Sequence, residues 1–142
     1  MNVLFQAHSG VRYLVLLAAV AAIAAFAYFW STGREYGRSS RIAARLFTGV
    51  LDLQVLLGIG VILTGTWYAR LMGHVGMMVG AAIAAHALLV LGRKRAERDA
   101  KRAHALSLAG VVLALALIVG GIMAIGRGVF QNSIEPHETA QS

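Results

Sequence analysis

The stretch LMGHVGMMVGAAIAAHALLVL, Leu71–Leu91, decides the fold, because it is an apolar run carrying two histidines and, in its early turns, Gly73, Gly76 and Gly80. About 20 apolar residues suffice to cross the hydrocarbon layer of a membrane as a helix. His74 then falls near one membrane surface and His86 well inside. An ionisable ring held in lipid is costly unless it faces a partner, a cofactor or water, so both positions are candidates for function.

Composition agrees with a membrane location. The chain has 142 residues, of which 58% are hydrophobic and 13% charged, and its mean hydropathy is +0.71. These values are far too apolar for a soluble domain of this length. Cysteine is absent, which excludes disulfides, iron–sulfur clusters, thiolate metal sites and c-type haem attachment, and leaves histidine as the strong soft-metal ligand. The net charge of +7 would suggest nucleic acid in a soluble protein. Here the basic residues gather in short loops between apolar runs, which is the pattern of topology signals, so no nucleic-acid partner is expected.

Three further apolar runs flank the first. VRYLVLLAAVAAIAAFAYFW (Val11–Trp30) has its arginines mainly after the apolar core and ends in an aromatic belt, so it is read as a retained span and not a cleaved signal peptide. LFTGVLDLQVLLGIGVILTGTWY (Leu46–Tyr68) and LSLAGVVLALALIVGGIMAI (Leu106–Ile125) complete the set. The loops STGREYGRSSRIAAR and GRKRAERDAKRAH are strongly basic and are placed in the cytoplasm by the positive-inside rule. The expected fold is an all-α membrane protein, a four-transmembrane-helix up-down-up-down bundle with both termini outside, comprising residues 1–130 and a polar tail over 131–142. Its spans are 11–30, 46–68, 71–91 and 106–125, and its location is a bacterial inner membrane. Recurrent glycine and alanine, including Gly58, Gly120 and Gly121, read as close helix contacts.

Two polar constellations emerge from this layout. His8 precedes the first span and His74 opens the third; helices one and three run in the same direction, so both rings reach comparable depth on the outer side. Neighbouring helices 8–10 Å apart place diagonal ones roughly 11–14 Å apart, room for a flat cofactor between opposed imidazoles. Arg12 and Arg70 lie at the same level, suited to haem carboxylates or lipid phosphates. The plainer reading makes the histidines interfacial and the arginines lipid anchors.

Deeper, Asp52 and His86 each sit six residues from the basic edge, about 9 Å at 1.5 Å per residue. They are expected to form a buried polar pair, as a proton-relay element or simply by satisfying each other. His74 and His86, twelve residues apart, differ by about 120° around the helix, so they do not share a face. His104 is expected at the surface among basic residues, and His137 in solvent.

The segments HSGVRYLVLL (His8–Leu17), LDLQVLLG (Leu51–Gly58) and GHVGMM (Gly73–Met78) resemble those of small bacterial four-span membrane proteins labelled cytochrome b-like. The resemblance implies haem b, with His8 and His74 at the positions of the family's histidines. It departs at Asp52, where the related pattern carries a histidine, so the second helix is not expected to supply a ligand. The sequence lacks a phosphate-binding loop, a nucleophile elbow and a His-Glu metalloprotease motif, which disfavours a standalone enzyme.

Two expectations remain. One is an electron-carrying haem protein, a subunit of a respiratory or photosynthetic complex, exchanging electrons with quinol or a periplasmic carrier; His8 and His74 are its iron ligands and Arg12 and Arg70 lie near the propionates. The other is an accessory subunit without a cofactor, packed against other membrane subunits or further copies of itself.

Overall fold

A computed structural model describes residues 3–130. They form four helices: α1 (Val3–Ser31), α2 (Arg38–Leu63), α3 (Leu71–Arg95) and α4 (Ala100–Ala124). All four are long and apolar enough to span a membrane, so the protein is a multi-pass membrane protein in a lipid bilayer. The polar tail expected over 131–142, with His137, lies outside the described residues apart from the statement of its sequence.

The helices follow from the residues available. The only proline of the chain is Pro136, so nothing removes a backbone donor between 3 and 130. Leucine, alanine and methionine, which lose little side-chain freedom in a helix, fill the apolar runs. Asp99 caps α4, its Oδ1 accepting from the Arg102 backbone N–H at 2.8 Å, while Arg93, Lys94 and Arg95 close α3 and complement its dipole. Gly33, at φ +65°, takes the left-handed conformation that lets the chain leave α1.

The boundaries differ from the apolar runs at several points. α1 begins at Val3, eight residues before Val11, which places His8 on the helix and not ahead of it. α4 begins at Ala100, bringing His104 into the helix. In both places polar residues continue the helix because their backbone groups are paired within it, whatever their side chains prefer.

Packing is uneven. α3 and α4 make the most extensive contact, α1 packs on α2 and on α4, and α2 touches α3 least. Glycine explains the tight pair. A Cβ at Gly92 would stand 2.6 Å from Ser107 Oγ, and one at Gly110 would stand 2.8 Å from Leu88 Cβ; only hydrogen fits where these backbones cross. A core of Phe26, Phe47, Leu51, Val15, Val111 and small alanines fills the centre. The loose α2–α3 flank leaves room on that side.

Candidate functional site

His8 on α1 and His74 on α3 meet inside one end of the bundle. Their ring centroids are 6.4 Å apart and the ring planes stand at 87°. The diagonal proximity expected from the sequence is therefore present, and it is closer than helix spacing alone would give, because both imidazoles lean into the same space.

Each ring is held by a backbone carbonyl. His74 Nδ1–H donates to the Gly121 carbonyl of α4 at 2.9 Å, and His8 Nδ1–H donates to the Gln54 carbonyl of α2 at 3.2 Å. A carbonyl can only accept, so the tautomer is set: Nδ1 carries the proton and Nε2 is left as the basic nitrogen. The Gln54 side chain reinforces α1, its amide nitrogen donating to the His8 carbonyl at 3.0 Å and reaching His8 Nε2 at a longer 3.4 Å. A ligand at His8 Nε2 would replace only the longer of these contacts. Gln54 Oε1 is buried and has no hydrogen-bond partner among the described residues.

Two glycines make the cradle. A Cβ at Gly58 would lie 3.1 Å from His8 Cε1, and one at Gly121 would lie 3.4 Å from His74 Nδ1 and 2.7 Å from Met78 Cε. These glycines let an imidazole lie directly on the neighbouring backbone. The sequence reading took them as helix contacts. The available signal was the spacing of Gln54 and Gly58, four residues apart on one face of α2.

The rings border a cavity of about 290 Å³, lined mainly by Val, Ile and Leu with Arg12 and Arg127 among its polar residues. That volume is at the lower end of ligand sites, about 300–1,000 Å³. Arg12 is buried and donates to the Tyr13 hydroxyl at 2.9 Å. Arg70 is not part of the lining; it lies against the α4 terminus, where a Cβ on Gly126 would meet its guanidinium at 3.3 Å. Arg127, over the Phe5 ring at 5.3 Å, supplies a second cation at the cavity that the sequence reading did not select.

The nitrogen donors at the cavity are the two imidazoles of His8 and His74. No group of three or more His, Cys, Asp or Glu side chains is assembled among the described residues, whereas a protein-held structural metal generally takes four such ligands. Two imidazoles bordering one cavity would suit a haem, which supplies most of its iron's ligands itself.

The second constellation also forms, but in a different setting. His86 Nε2–H donates to Asp52 Oδ1 at 2.8 Å. The pair is not in the bundle interior, since the two side chains remain 48% and 51% exposed. The reason is helical phase: the buried positions of α2 are Leu51 and Gln54, and those of α3 are Ala85 and Leu89, so Asp52 and His86 fall on the outer flank between the two helices.

His104 is the converse case. Expected at the surface, it is fully buried. Its ring lies 4.9 Å from Tyr36, 5.5 Å from Phe29 and 6.3 Å from Phe26, and Nε2–H donates to the Arg34 carbonyl at 3.2 Å. Tyr36 shares a hydrogen bond of 3.1 Å with Ser107. Aromatic side chains from α1 and the first loop therefore shield it from the basic residues that surround it in sequence. It closes the end of the bundle remote from His8.

Compared with known proteins, the chain matches no family model, no curated protein and no solved structure.

Proposed function

We propose that this protein is an integral membrane haem b protein that carries electrons, and that His8 and His74 would hold the haem iron. The single observation that carries the reading is the close pair of imidazoles, each with Nδ1 committed to a backbone carbonyl and the two ring centroids 6.4 Å apart. When bound, the haem would supply a one-electron redox centre.

The residues of the chain have distinct parts in this arrangement. The carbonyls of Gln54 and Gly121 orient the rings by accepting from their Nδ1–H groups. The aliphatic lining excludes water. Arg12 and Arg127 at the cavity provide cationic partners for propionate groups; Arg70, placed against α4, contributes charge at that end without lining the cavity. The weakly packed α2–α3 flank gives a flat ring space to extend beyond the enclosed volume.

Topology follows from charge. Ten of the thirteen basic residues lie in 34–45 and 93–102, and contact between His104 and Arg34 joins these two segments at one end. The positive-inside rule assigns that end to the cytoplasm of a bacterial inner membrane. An up-down-up-down bundle with both termini outside then sets the haem site near the periplasmic side, within reach of quinol or a periplasmic carrier. A cofactor-free accessory subunit, packed against other membrane subunits or further copies of itself, is the competing reading.

Absorption spectroscopy of the detergent-purified protein tests the proposal. Sharp bands on reduction with dithionite are expected; a pure, colourless protein after expression with sufficient haem overturns it and leaves the accessory role.

A further inference from the structure

A second hollow, of about 140 Å³, opens between α2 and α3 at the basic end, bordered by Arg41, Arg45 and Arg93 with Ala44, Leu89 and Val90. The three arginines come from two helices and border the same hollow. Arg41 and Arg45 are four residues apart, on one face of α2. Arg93 lies four residues after Leu89 and seven after His86, on one face of α3. Ala44, being small, leaves the space between them open.

His86, paired with Asp52, also borders the hollow. No carboxylate forms an ion pair with any of the three arginines among the described residues, and the nearby acid Asp52 is engaged by His86. Each guanidinium is a planar set of donors matched to phosphate oxygens. Arg45 immediately precedes the apolar segment of α2, and Arg93 follows that of α3, so the arginines stand at headgroup level with aliphatic side chains directly beyond. Cations at the interface with an apolar wall above them describe an amphipathic anion.

We propose that this α2–α3 hollow binds the phosphate of an acidic phospholipid, its acyl chains running along Leu89 and Val90. Neutral Leu89 and Val90 would be of no use to free phosphate, which decides for the lipid. The site is separate from the His8–His74 cavity, and it stands whether or not haem is bound there.

Native mass spectrometry of the full-length protein, titrated with phosphatidylglycerol, phosphatidylcholine or inorganic phosphate, tests the site. The wild type is expected to retain phosphatidylglycerol in preference to phosphatidylcholine. Combined Arg41→Gln, Arg45→Gln and Arg93→Gln should weaken that binding about a hundredfold, at about fivefold per interfacial cation. Combined Lys94→Gln, Arg95→Gln and Arg98→Gln, which removes the same charge outside the hollow, should leave it unchanged. Equal loss in both triple variants would overturn the proposal in favour of diffuse attraction, and so would competition by inorganic phosphate as effective as by the lipid. Should the arginine variant fail to fold by circular dichroism, Ala44→Leu decides: it keeps every charge and fills the hollow, and unaltered lipid binding in it overturns the site.

Discussion

The imidazoles of His8 and His74 stand at right angles with centroids 6.4 Å apart, anchored through Nδ1 to a carbonyl of α2 and of α4 respectively. All four helices thus converge on one pair of rings: α1 and α3 supply them, α2 and α4 aim them. This arrangement makes the effect of single substitutions specific.

On the proposed haem reading, His74→Ala and His8→Ala should each abolish the haem absorption bands expected of the purified protein, whereas His137→Ala should leave them in place. Reduced-minus-oxidised difference spectra at equal protein concentration measure this. Retention of full haem in His74→Ala would remove that ring from the ligand set.

Gly121→Val should disturb the site without removing a ligand. Even a Cβ there would stand 2.7 Å from Met78 Cε and 3.4 Å from His74 Nδ1, and overpacking of this kind costs about 1–3 kcal/mol. Lower thermal stability and reduced haem occupancy are expected together, by melting in detergent and by pyridine haemochrome assay. Gly10→Ala, with open space around its Cβ position, should change neither.

Asp52→Asn should leave haem content unchanged and alter stability only slightly. The Asp52–His86 hydrogen bond is half-exposed, and polar contacts between membrane helices average about 0.6 kcal/mol. Thermal melting beside haem quantitation checks this, and a haem loss equal to that of His74→Ala would contradict it.

His104→Ala should be strongly destabilising yet spectrally silent. It empties a fully buried site among three aromatic rings and orphans the Arg34 carbonyl, a change of about 2–5 kcal/mol by analogy with other large-to-small core substitutions. Tyr36→Phe should cost less, about 1–3 kcal/mol, by leaving the buried Ser107 hydroxyl without its 3.1 Å partner. Chemical or thermal unfolding followed by circular dichroism ranks the two.

The four apolar runs were legible from the sequence because hydropathy over some twenty residues is a strong, local signal. So was the approach of His8 to His74, which needed only their common level on parallel helices. The setting of Asp52 and His86 was not, because level alone does not fix rotation: both residues reach the same depth, but each is one position from the buried face of its helix. His104 was misjudged for a related reason. Its neighbours in sequence are basic, while the groups that enclose it, Phe26, Phe29 and Tyr36, come from 68 to 78 positions away. Gly58 and Gly121 were visible as glycines, but the imidazoles they admit come from other helices.

The slackness between α2 and α3 bears on how the protein is assembled. α1 packs on both α2 and α4, and α4 on α3, so the α2–α3 seam is the least tightly closed of the four. On the proposed haem reading, that seam is the side on which a hydrophobic disc dissolved in the bilayer would enter edgewise, with no unthreading of the folded chain.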